Sequence, residues 1–311
     1  MKMPFYISAV SVVIPVFNSE KTLSPLFLRI QNVFRIMAIN FEIVLVNDGS
    51  TDHSWDIIET LVSQNHGSVT GINLSTNYGQ HNATICGFCY CKFEHILTID
   101  DDLQFQPEDI NKLVGAMEET NADVIYGIPV IKEHHFIRNA GSRLAKYLSF
   151  KLPIKNNSSF RLIKNKIVKE IIDHPYHQQS IFIDLVMNWH TSFIHYVPVN
   201  HVKRREGNSN YSLAKLFRMY LDIIINYTAF PLKIITYLGL AISLLTLFIG
   251  IRFIYKKIFF DVPLGYTSII VSTLFSTSII LFSLGIIGQY VYRLYMVQSK
   301  KPAYSINKII K

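Results

Sequence analysis

Cysteine is scarce: three in 311 residues, clustered as Cys86, Cys89 and Cys91. So few thiols exclude a disulfide framework and fit a reducing compartment. Cys86-Gly-Phe-Cys89 has C-x-x-C spacing, but a zinc or redox site needs a second ligand pair or a thioredoxin-like context, and the sequence has neither. The cysteines read as small residues packing a helix. Acidic residues are also short, 22 against 30 Lys and Arg, for a formal net charge of +8. The N-terminus lacks the marks of a cleavable signal, because its apolar stretch holds Pro4 and Pro15, has no small-residue cleavage site and alternates like a strand.

What the chain has in excess is apolar residues, at 50% of the total against 17% charged. The excess is local. Residues 1–230 mix charged and apolar residues as a globular domain does, whereas 234–251 and 262–292 carry no charge. A membrane-spanning helix needs ~20 apolar residues, so the pattern predicts spans at 234–255 and 264–292, with a buried core hairpin as the alternative. Basic residues flank these runs, including Lys203, Arg204, Arg205, Lys215, Arg218 and Lys233 before them and Arg293, Lys300, Lys301, Lys308 and Lys311 after them. Such flanks point to a membrane surface and anionic substrates rather than to nucleic acid. Arg252, Lys256 and Lys257 in the connecting loop oppose that orientation, but the heavier flanks place the domain and the C-terminus in the cytoplasm. Residues 212–227 are amphipathic and basic, fitting a membrane-interface helix and an ordinary surface helix equally. The resulting division is a catalytic domain at 1–211, an interfacial segment at 212–233, the two spans, and a basic tail at 293–311.

Within the first domain, strand-like runs at 10–16, 41–46, 69–74, 95–99 and 122–126 alternate with stretches of helical spacing. That alternation predicts a Rossmann-like α/β fold, a mostly parallel sheet with helices on both faces. Further on, 138–150 reads as helix, 160–172 as strand running into helix, and 193–199 as strand. Ligands of such sheets bind beyond the carboxyl ends of the strands. The polar clusters Asn47-Asp48-Gly49-Ser50-Thr51-Asp52 and Asp100-Asp101-Asp102 fall there.

Thr98-Ile99-Asp100-Asp101-Asp102-Leu103-Gln104 is the sharpest signal. Clustered carboxylates repel unless a cation sits among them. Carboxylate and amide oxygens are hard ligands suited to Mg²⁺ or Mn²⁺, and Mg²⁺ usually completes its shell with water and substrate phosphates. The motif alone also fits a solvated acidic turn or a helix cap.

Val12-Val13-Ile14-Pro15-Val16-Phe17-Asn18, the Asn47–Asp52 run and the aspartate cluster together resemble the family-2 glycosyltransferases of the GT-A fold. Leu74-Ser75-Thr76-Asn77-Tyr78-Gly79, Pro107-Glu108, Ser159-Phe160-Arg161-Leu162 and Arg204-Arg205-Glu206-Gly207-Asn208-Ser209-Asn210-Tyr211 are similar to the polyprenyl-phosphate branch of that family. The paired spans ending Gly285-Ile286-Ile287-Gly288-Gln289-Tyr290, then Lys301-Pro302-Ala303-Tyr304, resemble its bactoprenol members. The resemblance implies an enzyme of the bacterial inner membrane, multi-pass and expected as a homo-oligomer. It would transfer a monosaccharide from a nucleotide-sugar, UDP by resemblance, to polyprenyl phosphate. It further implies that Pro15, Phe17, Glu20, Asp48 and Asn77 line the nucleoside pocket. Asp102 and Gln104 would hold the metal, with Asp100 on the ribose side or on a metal water. Arg143, Ser159, Arg161 and Arg204 would meet phosphates, Arg161 acting in catalysis beside Asp100 and Asp102. Gln80 and Asn210 depart from the lysines usual in relatives. Residues 178–189 match no pattern.

A phosphate monoester acceptor is already anionic near neutrality, since its second pKa is ~6. It needs placement and arginine contacts rather than a general base. An arginine at these positions either meets such a phosphate or pairs with a carboxylate of the domain. Two other readings stand beside this one: a non-processive transferase that extends a lipid-linked or surface saccharide, and a membrane scaffold without activity. A processive polysaccharide synthase is excluded, because neither Trp55 nor Trp189 lies in a Q-x-x-R-W context.

Overall fold

Val10, Val12, Ile14 and Val16 of the first strand pack on one face of a sheet and Val13 on the other, all fully buried. A mostly apolar run with residues alternating between two cores is what a strand covered on both sides requires. This strand, β1 (Ala9–Val16), is central in an eight-stranded sheet of order β7-β5-β6-β4-β1-β2-β3-β8. The other strands are β2 (Asn40–Asn47), β3 (Val69–Leu74), β4 (His95–Thr98), β5 (Val124–Pro129), β6 (Arg161–Lys164), β7 (Ile194–Val199) and β8 (Ile306–Ile310). The computed structural model describes residues 7–130, 158–173, 183–202, 265–298 and 302–311, with scattered helical positions between 237 and 259. The expected 138–150 and 212–227 helices lie outside the described residues, as does almost all of the first expected span.

The pairs β1–β2, β1–β4, β2–β3 and β5–β7 are parallel, while β6 runs antiparallel between β4 and β5 and β8 antiparallel to β3. The expected mostly parallel sheet is present. One face packs α1 (Leu23–Met37), α2 (Ser54–Gln64) and α4 (Ile110–Thr120); the other packs α3 (Gln80–Phe88), α5 (Asn165–Asp173) and α6 (Ile183–His190). Leu23, Leu26, Phe27, Ile30, Val33 and Phe34 form the buried stripe of α1, and each such side chain contributes roughly 1.5–3 kcal/mol on burial. Cys86 and its neighbours pack α3 against β1 and β2. A Cβ on Gly87 would lie 2.4 Å from a Val13 methyl, so glycine is needed for that approach. Burial pushes the Cys86 thiol up to about 12, so it is an inert packing group.

The chain divides into two compact units, 1–207 with 300–311, and 208–299. In the second unit, α7 (Tyr266–Gln298) has 33 residues, about 50 Å at the ~1.5 Å rise of a helix. Its window Phe275–Tyr292 has a mean hydropathy of 1.4 and no buried residue, and it is long and apolar enough to cross a membrane. The helix runs six residues past the expected end of the span at 292, through Arg293, since nothing in that stretch breaks a helix. The tail, expected only as a basic segment, supplies β8 to the first unit's sheet.

Candidate active site

The loops after β1, β2 and β4 meet at the carboxyl edge of the sheet. Asn18 (φ 53°), Gly49 (φ 67°) and Leu103 (φ 58°) all take left-handed backbone there to reverse the chain. Asp48 at the end of β2 is 2% exposed, and its two carboxylate oxygens accept the N–H groups of Tyr78 (2.7 Å) and Gly79 (2.9 Å). Burial pushes its carboxyl up, and those two hydrogen bonds partly offset the shift. A Cβ on Gly49 would lie 2.5 Å from the Asn77 nitrogen, so the loop carrying Asn77 crosses directly over that glycine. Asp48 therefore fixes the loop that bears Asn77. Pro15 lines the adjoining cavity, the Phe17 ring is 47% exposed, and Glu20 accepts the His53 N–H at 3.2 Å. Asp52 accepts the N–H groups of Ser54 (3.0 Å) and Glu20 (3.1 Å), fastening the start of α2 to the β1 loop.

The three aspartates do different work. Asp100 accepts hydrogen bonds from the Gln80 amide and from the Ser159 hydroxyl, the latter at 2.5 Å. Burial, with Asp102 and Asp101 adding repulsion, pushes its carboxyl up to about 7 despite the Ser159 bond. Asp101 accepts the Ser19 hydroxyl and the Phe17 N–H (2.9 Å), and burial pushes it up to about 6. Asp102 accepts the Gln104 N–H at 3.0 Å, closing the turn. No three His, Cys, Asp or Glu side chains converge among the described residues. A cation that completes its shell with water and phosphate needs only one or two carboxylates, and a crowded acidic edge with raised carboxyl groups is relieved by one. Asp102, Gln104 and Asp100 fit such an ion.

The turn is braced from two sides. Arg29 of α1 pairs with Glu108, its Nε donating at 2.9 Å, and holds that carboxyl below its usual range. Val202 donates its N–H to the Gln104 carbonyl at 2.9 Å. Arg204 follows Val202 by two residues; it and Arg143 lie outside the described residues.

Beside Asp100 lies a cavity of about 120 Å³ whose lining includes Pro15, Gln80, His81, Ser159, Arg161 and Asp184. Arg161 is 3% exposed and forms an ion pair with Asp184 of α6, to which the Tyr126 hydroxyl also donates at 2.9 Å. The domain carboxylate foreseen as one partner of Arg161 is thus Asp184. The structure thus brings Pro15, Asp100, Ser159 and Arg161 to one cavity, with Phe17, Glu20, Asp48, Asn77, Asp102 and Gln104 on the adjoining loops.

Residues 11–191 match the family model described as glycosyl transferase family 2. The chain belongs to glycosyl transferase family 2. It is 31% identical over 316 residues to the undecaprenyl-phosphate 4-deoxy-4-formamido-L-arabinose transferase of Edwardsiella ictaluri, with 98% of this chain and 95% of the relative covered. It is 30% identical over 319 residues to the protein of that name from Shewanella sediminis, with 100% and 95% covered. Among solved structures, glucosyl-3-phosphoglycerate synthase from Mycobacterium tuberculosis, in complex with Mn²⁺, UDP-glucose and phosphoglyceric acid, is similar at 17% identity and a TM-score of 0.49, over 70% of this chain and 77% of that one.

Several residues that shape this glycosyltransferase's site were not foreseen. Asp101 stood only as the middle of the acidic run, yet it anchors the Phe17–Ser19 loop. His81 follows Gln80 into the cavity wall, where burial lowers its pKa to about 4 and keeps it neutral. Asp184 and Tyr126 complete the polar cluster around Arg161. The one available signal was an acidic residue, Asp184, in the otherwise apolar run Ile181-Phe182-Ile183-Asp184-Leu185-Val186.

Proposed function

We propose that this transferase moves a single sugar from a UDP-sugar to undecaprenyl phosphate at the cytoplasmic face of a bacterial inner membrane, with inversion at the anomeric carbon. The observation that carries this reading is full-length similarity to relatives named for that acceptor, in a chain that joins the acidic strand-end site to a helix of membrane-spanning length. Pro15, Phe17, Glu20, Asp48 and Asn77 hold the nucleoside, the exposed Phe17 ring offering a stacking face. Asp102 and Gln104, with Asp100 behind them, hold Mg²⁺ or Mn²⁺, which when bound neutralises charge on the leaving diphosphate.

In the reaction, an oxygen of the lipid phosphate attacks the anomeric carbon and the bond from that carbon to the UDP oxygen breaks. UDP leaves, and no proton need be removed from the acceptor. Arg143 and Arg204 meet the acceptor phosphate, and the Ser159 hydroxyl joins them by turning from Asp100. Arg161, its charge already neutralised by Asp184, belongs on the donor side.

The return of the chain to the sheet supports a two-span topology. The chain leaves the first unit after residue 207 and returns to it at 300, and β8 pairs with β3. Crossings between those points must therefore come in pairs. One crossing by α7 requires another, which the uncharged run in 234–255 supplies. The polyprenyl tail stays in the bilayer, which accounts for tethering the catalytic unit; the working assembly is a homo-oligomer.

The test is acceptor competition. Purified full-length protein in vesicles is given labelled UDP-sugars with either undecaprenyl phosphate or a lipid-linked saccharide. Transfer only to the first supports the reading. Transfer only to the second replaces it with saccharide extension.

A further inference from the structure

The polar cluster around Asp184 leaves hydrogen-bonding capacity unused. Both hydrogen bonds to the Asp184 carboxylate, from Arg161 and from the Tyr126 hydroxyl, land on the same oxygen, Oδ1. Oδ2 has no partner among the described residues, and the side chain keeps 15% of its surface exposed. Beside it, the Nε of Arg161 is buried and makes no hydrogen bond. A buried donor without a partner marks a place where a ligand or water belongs. Both residues line the cavity that also touches Asp100 and Pro15, the donor end of the site.

We propose that Asp184 and Arg161 bind the donor's sugar ring and make Asp184 a specificity-determining residue of this transferase. The pairing offers one carboxylate acceptor and one N–H donor in fixed relation. A sugar hydroxyl can donate to the first while a neighbouring hydroxyl oxygen accepts from the second. Charge favours a polyol over an anion here. Arg161 and Asp184 cancel, so the pair offers a phosphate dianion no net positive charge. Neutral His81 adds no cation to change that balance. The site is therefore matched to an uncharged sugar carrying adjacent hydroxyls, and it disfavours one lacking the hydroxyl that Asp184 reads, because the carboxylate would then be desolvated without a partner.

This inference rests on the nucleotide-sugar donor proposed above but is independent of the acceptor, so its test uses binding alone. Full-length protein in detergent is titrated with UDP and with UDP-glucose, UDP-galactose, UDP-xylose, UDP-arabinose and UDP-N-acetylglucosamine in the presence of Mn²⁺. Wild type is expected to bind one or two of these sugars' nucleotides more tightly than UDP. Asp184→Asn should reduce that sugar-dependent gain by about 10-fold or more while leaving UDP affinity within about twofold, on the same scale. Because Asp184→Asn leaves a buried guanidinium without its counter-charge, the paired variant Asp184→Asn with Arg161→Gln is measured alongside, and it should lose the gain while keeping the wild-type melting temperature. An unchanged gain in the folded paired variant would mean that the cavity holds only water and would overturn the proposal. Equal weakening of UDP and UDP-sugars would do so too, by making the cluster structural. Intact sugar-dependent binding with no transfer to undecaprenyl phosphate would sink the acceptor reading and leave this one standing.

Discussion

The backbone N–H of Ser75 donates to the carbonyl of Ser305 at 2.9 Å, joining the end of β3 to the C-terminal strand. Next to that bond, β8 registers Leu74 against Ile306, and Lys308 pairs with Glu59 of α2 at 2.7 Å. Three residues past Ser75, the Tyr78 N–H reaches Asp48. The tail thus stabilises the loop that shapes the nucleoside side of the site. Deleting 302–311 should weaken UDP binding about 5-fold, roughly the ~1 kcal/mol of ordering that such backbone contacts supply. Calorimetric titration of the deletion checks this, and unchanged affinity would detach the tail from the pocket.

Asp102→Asn should reduce transfer by roughly 100-fold or more, because an amide cannot oppose a dication and a diphosphate as a carboxylate does. Asp101→Asn should act differently. It weakens the acceptor of the Phe17 N–H and Ser19 hydroxyl, so a drop in melting temperature equivalent to ~1–3 kcal/mol should accompany a milder loss of activity. Steady-state rates over a Mn²⁺ series, with melting curves, separate the two. Wild-type activity of Asp102→Asn at saturating metal would remove Asp102 from the metal site.

His81 gives a pH signature. Its folded pKa, lowered by burial from 6.5 to about 4, lies below the unfolded value. The folded state therefore binds fewer protons, and the stability this contributes is present above pH 6.5 and lost as pH falls toward 4. Asp100 titrates with the opposite sign, but a variant retaining it cancels that term. His81→Gln should lose less melting temperature than wild type between pH 6.5 and 4; parallel curves would show that the imidazole is not held neutral.

Removing everything after residue 231 would take β8 with the spans. A cleaner separation joins residue 207 to 302 through a long Gly/Ser linker. That protein should bind UDP within about threefold of wild type and lose most transfer to undecaprenyl phosphate in vesicles while retaining more on a short-chain polyprenyl phosphate, since only the long chain needs bilayer delivery. Equal loss on both acceptors would assign the spans a role in the catalytic site itself.

The strands and helices of the first unit were legible because β1, β2 and β4 are mostly apolar runs followed by polar residues, broken only by the buried pair Ser11 and Glu42, and because α1 and α2 carry a plain helical stripe. The acidic edge was legible for the same reason: its residues are contiguous. What sequence reading missed depends on distant partners. Asp184 means little without Arg161, 23 residues away, and Tyr126, 58 away. Ile306-Asn307-Lys308-Ile309-Ile310 is a short run whose partner β3 lies more than 230 residues earlier. Asp101 reads as a spare carboxylate until Ser19 and Phe17 are seen against it. Arg143 and Arg204 stay as expectations carried by motif.

The most direct test of sugar transfer to a lipid phosphate labels both halves of the product. Undecaprenyl phosphate carrying ³²P is incubated in vesicles with a ¹⁴C-labelled UDP-sugar and the full-length enzyme, and the lipid phase is extracted and weighed by mass spectrometry. One sugar per retained phosphate, in a lipid that mild acid cleaves, is the expected product, and Asp102→Asn should yield none. Sugar label found only in extended saccharide, or in lipid without the ³²P, would contradict it.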